Sequence, residues 1–126
     1  MQAHDKQWPK ELRLAQSGKL LTVAFEDGQA FDLSAEYLRV MSPSAEVKGH
    51  TAAESKTVGG KRNVAVVEIV PVGSYAVRLR FDDGHSTGIY TWAYLHELGA
   101  QQAEKWQAYL AALRAKSLDR DRPGQK

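Results

Sequence analysis

The chain has 126 residues, 43% of them hydrophobic and 25% charged, with a formal net charge of +2 and no cysteine. This composition suits one globular domain around a single core. It excludes disulfides, cysteine-ligated zinc or iron–sulfur centres and a cysteine nucleophile.

No apolar run approaches the roughly 20 residues that cross a bilayer. The opening MQAHDKQWPK has no apolar signal core, so a cytoplasmic protein without a membrane partner is expected. Charge is unevenly spread. Arg114, Lys116, Arg120, Arg122 and Lys126 stand against Asp119 and Asp121 over residues 114–126, a local +3 that leaves −1 for the rest. Nucleic-acid binders carry a basic stripe on the fold itself, so no nucleic-acid partner is expected. The ending SLDRDRPGQK predicts a disordered basic tail over 118–126.

In chain order, Glu11 to Leu14 alternate polar and apolar residues before a turn at Ser17-Gly18. Leu21, Val23 and Phe25 alternate with Thr22 and Ala24, the pattern of a half-buried strand. Asp27-Gly28 supplies a tight hairpin, Phe31 and Leu33 the returning strand, and Ser34 an N-cap for a helical turn through Tyr37 and Leu38.

Residues 42–63 have no apolar side chain larger than valine, which predicts a mobile excursion over 45–62. Residues 64–70, VAVVEIV, read as a central strand covered on both faces. Val77, Leu79 and Phe81 then alternate with Arg78 and Arg80, Asp83-Gly84 turns, and a short strand reaches Tyr90. Thr91 caps a helix from Trp92 to Leu98 with Gly99 at its C-terminus. A last helix, about Gln101 to Lys116, sets Trp106, Leu110 and Leu113 on one stripe.

Two stretches echo each other. VAFEDGQAFDLSAEYLR (23–39) and LRFDDGHSTGIYTWAYLH (79–96) both read as strand, Asp-Gly turn, strand, hydroxyl cap and short helix with Tyr-Leu. The expected fold is therefore α+β: a small, mostly antiparallel sheet built from two similar hairpin-plus-helix halves that share it, with an added C-terminal helix.

Chemistry-bearing constellations are sparse. His96-Glu97 begins like a zinc-protease helix, but Ala100 stands where the second histidine belongs. Neither His4, His50, His85 nor His96 is followed two residues later by the carboxylate of an oxygenase iron site. Gly59-Gly60-Lys61 lacks the spacing and the following hydroxyl of a phosphate loop. No nucleophile elbow is present. The densest polar group is Asp82-Asp83-Gly84-His85, which reads either as a cation or proton site or as a turn whose aspartates bond their own backbone. Tyr90, Trp92 and Tyr94, with Trp8, could line a binding cleft or simply cover a sheet. No acid, base and electrophile set emerges, so no enzyme and no cofactor are expected.

The ordered set Trp8-Pro9-x-Glu11-Leu12, Phe25-x-Asp27-Gly28, Tyr37-Leu38-Arg39, Asp83-Gly84-His85 and Gly88-Ile89-Tyr90-x-Trp92-x-Tyr94-Leu95 resembles the gamma-butyrobetaine hydroxylase-like N-terminal domain family over residues 7–99. The resemblance leaves 100–117 as an appended helix. It implies a domain that stands alone in bacteria, or is fused to 2-oxoglutarate oxygenases of carnitine synthesis and to iron–sulfur carrier ATPases. What it implies here is a non-catalytic accessory module with a protein partner, a second copy of the chain being one candidate. A small-ligand domain using the aromatics around Trp92 is the alternative. Many members hold zinc through Cys-Pro-Cys-x-x-Cys and the histidine of the second Asp-Gly-His. Here those positions are Ser42, Ser44, Val47 and His85, so the resemblance implies a lost metal site. The candidate interaction residues are Asp83, His85, Tyr90, Trp92 and Tyr94.

Overall fold

Apolar alternation builds the strands, and hydroxyl caps start the first two helices. The computed structural model describes residues 8–43 and 57–121. Its elements are β1 (Pro9–Ala15), β2 (Leu20–Phe25), β3 (Ala30–Ser34), α1 (Ala35–Val40), β4 (Val66–Val72), β5 (Ala76–Phe81), β6 (Ile89–Thr91), α2 (Trp92–Ala100) and α3 (Gln102–Ala115). The class is α+β, with every strand pairing antiparallel.

The two halves repeat one another in strand order, Asp-Gly turns and helix caps. β2 is the centre of the first sheet and β5 of the second. Each half carries a bulge at the start of its first strand, between Pro9 and Glu11 and between Val66 and Glu68. In the turns, Gly28 N–H donates to Phe25 O and Gly84 N–H to Phe81 O, both at 3.1 Å, over glycines at φ +90° and +94°. Ser34 Oγ caps Tyr37 N–H as Thr91 Oγ1 caps Tyr94 N–H. Even the links between helix start and first turn agree, Ala35 N–H to Lys19 O and Trp92 N–H to Tyr75 O.

The echo suggested one shared sheet, but the strands divide into two sheets of three. Among the described residues one backbone bond links the two sheets, Val66 N–H to Gly18 O at 2.8 Å. Gly18 sits at φ +86°, and a side chain there would overlap the Val66 carbonyl. What the halves share is a core. Leu21, Val23, Phe25 and Leu33 of one sheet, Val77, Leu79, Phe81 and Tyr90 of the other, and Tyr37, Leu38, Leu95 and Leu98 of the helices form one buried cluster.

Two expected elements also change. VAVVEIV is an edge strand rather than a central one: β5 takes the centre, and the bulge turns Val67 out to 48% exposure. β-branched composition cannot distinguish an edge from a centre. Helix α2 does not end at Gly99 but runs to Ala100. Gly99 is kept small by packing, since a Cβ there would overlap the Phe31 ring.

The segment at 57–62 is docked. Tyr109 donates its hydroxyl to Val58 O at 2.5 Å, Gly60 N–H bonds Asp119 O, and Arg62 N–H bonds Arg120 O. Residues 45–56 lie outside the described residues. The same bonds hold 118–121, which charge density assigned to the tail; 122–126 lie outside the described residues. Arg120 also grips the buried Glu36 through two bonds of 2.7 Å. Helix α3 uses the expected Leu113, fully covered, with Trp106 and Leu110 half-buried, and adds Tyr109 and Val40 in a second small cluster.

Candidate functional site

The densest polar cluster of the sequence forms around the second Asp-Gly turn. Asp83 accepts at Oδ1 from His85 N–H at 3.0 Å, the backbone-bonding turn that aspartate favours. Its Oδ2 accepts from Arg39 Nε at 2.8 Å and from Lys61 Nζ at 2.6 Å. Burial alone would push the carboxyl up, but the Lys61 ammonium, the His85 N–H and the Arg39 guanidinium together hold it down at about 2. Asp82 turns to the other side, where its Oδ1 accepts from Ala65 N–H. His85 is buried, and its Nε2 lies 2.9 Å from the buried Ser42 Oγ.

Of the aromatic candidates, Tyr90 and Tyr94 point inward. Tyr90, fully covered, donates its hydroxyl to Leu38 O at 2.6 Å, and Tyr94 donates to Met41 O at 2.6 Å. Their rings lie 6.1 Å apart. Burial raises both hydroxyls above the ordinary tyrosine range, Tyr94 to about 12, so both act as neutral donors. Trp92 Nε1 donates to Ser74 O. Trp8 immediately precedes β1, is exposed, and accepts from Glu26 N–H through its carbonyl. Thus Asp83, His85, Tyr90 and Tyr94 gather where the first helix ends and the second hairpin turns. Trp92 faces the β4–β5 turn instead.

Sequence reading missed Arg39 and Lys61. The signal for Arg39 was available: carried one residue past Tyr-Leu, the echo pairs Arg39 with His96. Each reaches across to the other half's turn aspartate, Arg39 to Asp83 and His96 Nε2 to Asp27 Oδ2 at 3.0 Å.

The halves differ at this place in a compensating way. Phe31 on β3 fits against Gly99, while its counterpart Gly88 leaves room for Ser42, the counterpart of Gly99. The second turn therefore carries Ser42 and His85 where the first has Gly99 and Gln29.

Zinc does not fit the residues present. Ser42 offers a neutral hydroxyl already set against His85 Nε2, and valine at 47 has no donor atom. Ser44 and Val47 lie outside the described residues. Among the described residues no group of three histidine, cysteine or acidic side chains could hold a metal ion. Among them, too, no helix is long and apolar enough to cross a membrane.

The family model for "Gamma-butyrobetaine hydroxylase-like, N-terminal" matches residues 12–96. The chain belongs to that family. Two solution NMR structures are similar to this member at 43% identity, one with TM-score 0.80 covering 100% of this chain and 94% of the other. The second has TM-score 0.76 and covers 94% and 92%. A crystal structure from Acidithiobacillus ferrooxidans, a protein of unknown function in the DUF971 family, is 41% identical with TM-score 0.62, covering 76% of this chain and 97% of that one. No curated protein matches the chain. The gamma-butyrobetaine hydroxylase-like segment thus spans both halves, and helix α3 lies beyond its end.

Proposed function

We propose that the protein is a non-catalytic accessory module of the cytoplasm that works by binding a protein partner, in support of an iron–sulfur or 2-oxoglutarate oxygenase system. One observation carries this reading: the groups dense enough to do chemistry are used to join the two halves. Asp83 holds Arg39 and Lys61, His85 meets Ser42, and the Tyr90 and Tyr94 hydroxyls bond backbone carbonyls of the first half. Such a cluster rigidifies a scaffold rather than presenting an acid and a base to a substrate. The family's description, which names a hydroxylase whose N-terminal region it resembles, supports an accessory place beside a catalytic domain.

The test is affinity capture of tagged full-length protein from native lysate, with mass spectrometry of proteins and small molecules together. Reproducible recovery of one protein partner at near-equal amount is the expected result. A co-purifying small molecule without a protein would overturn the reading in favour of a ligand-binding domain.

A further inference from the structure

The duplicated fold contains its own control. Each outward position of the second sheet has a counterpart in the first, fixed by matching strand register. Single exposed apolar residues are ordinary on a protein surface. Here, however, three of the four large exposed ones among the described residues belong to the second half, Trp8 ahead of β1 being the fourth. On this sheet Val67 is 48% exposed and Ile89 42%, and Tyr75, in the turn before β5, is 54% exposed. Their counterparts are Lys10, Asp32 and Lys19, all exposed. The first half adopts the same backbone with charged residues at those places, so folding does not require apolar ones in the second.

Cross-strand rows sharpen the contrast. In the first sheet the row Arg13–Thr22–Asp32 is polar throughout, with Thr22 Oγ1 donating to Asp32 at 2.7 Å and Arg13 paired to Glu11. The matching row in the second sheet is Val70–Arg78–Ile89. Arg80 beside it is neutralised by Glu68 at 2.9 Å. Arg78 stands exposed at the centre, between two apolar neighbours, and no carboxylate among the described residues pairs with it.

We propose that the outer face of the β4–β5–β6 sheet is a docking surface for a partner protein segment that sets a carboxylate on Arg78, flanked by apolar side chains that cover Val67, Val70 and Ile89. Charge complementarity selects this occupant. Covering the apolar row removes Arg78 from water, and a desolvated guanidinium needs an anion to pair with. A second copy of the chain meets the requirement poorly. A two-fold contact on this face offers Arg78 only the same face of the other copy, where Glu68 is already held by Arg80. The inference rests on the reading above only in taking the occupant to be a protein.

The test is selection of random peptides displayed on phage against the immobilised full-length protein, followed by affinity measurement with a synthetic consensus peptide. Enriched sequences should share an aspartate or glutamate flanked by large apolar residues. Arg78→Glu and Ile89→Asp should each weaken the peptide by at least about tenfold. Changing the peptide's acid to lysine should restore binding to Arg78→Glu. Arg78→Thr and the double variant Val67→Lys with Ile89→Asp install the first half's residues, should keep the wild-type melting temperature, and should also lose the peptide. Failure to enrich any sequence, enrichment without an acid, or binding indifferent to Arg78 overturns the proposal. So does a wild-type dimer in sedimentation that the double variant dissociates, since the face then serves a second copy. A lysate partner kept by Arg78→Glu upholds the module reading while overturning this face, so the two fail separately.

Discussion

Arg39 on α1 donates its Nε–H to Asp83 Oδ2 of the second hairpin turn at 2.8 Å. The bond has a counterpart across the pseudo-symmetry, His96 to Asp27, so each half's helix holds the other half's turn. Arg39 is only 11% exposed, and its Nη1 is buried without a hydrogen-bond partner among the described residues. Its charge therefore depends heavily on Asp83. Replacing Asp83 by alanine should destabilise the protein by about 2 kcal/mol, more than a surface ion pair contributes. Urea unfolding measures this; a loss below about 0.5 kcal/mol would show the pair behaves as a solvated one.

The same contact sets an acid response. Asp83 is held at about 2, below its ordinary 3.8, so it binds fewer protons in the folded state than in the unfolded one between those values. Its stabilisation is complete above the unfolded value and disappears as pH falls through the folded one. Melting temperature should drop between about pH 4 and pH 2, and the drop should flatten in Asp83→Asn. An identical acid profile in that variant would assign the response to other carboxylates.

Tyr37 donates to Leu98 O at 2.7 Å and its counterpart Tyr94 donates to Met41 O at 2.6 Å, each hydroxyl satisfying the helix end of the opposite half. Tyr37→Phe and Tyr94→Phe should each cost about 1 kcal/mol. Because the two bonds satisfy equivalent helix ends, the double variant should lose less than the sum if they act as one brace, since each single variant already forfeits the coupling. Thermal unfolding of the four proteins decides between coupled and independent seams.

Gly99 is kept by the ring of Phe31. Gly99→Ala should destabilise by about 1–3 kcal/mol through overpacking. In a Phe31→Ala background the same change should cost much less, because the ring that blocks the methyl is gone. Equal costs in both backgrounds would mean that Gly99 matters for its backbone instead.

Glu36 is buried, and Arg120 neutralises it through two 2.7 Å bonds. Arg120→Ala should cost about 3 kcal/mol by leaving that carboxylate unpaired. Adding Glu36→Gln should recover part of the loss, which denaturant titration reads directly. A neutral Arg120→Ala would place 118–121 outside the cooperative unit.

Local pattern determined a good deal. Period-two alternation marked β2 and β5, the Asp-Gly pairs marked both tight turns, and Ser34 and Thr91 marked both helix starts, because these signals act between neighbours in the chain. The repeated order of those signals already contained the two-half architecture. Tertiary structure alone decided which strand is an edge, since valines at 66 and 67 look alike until a bulge buries one and exposes the other. It also decided what Gly88 and Gly99 are for, because their partners Ser42 and Phe31 come from the opposite half. The polar cluster divides the same way. Asp83 and His85 were legible as a turn, but Arg39, Lys61 and Ser42 reach it only through the packing of the two halves, and no local pattern encodes a contact across that distance in sequence.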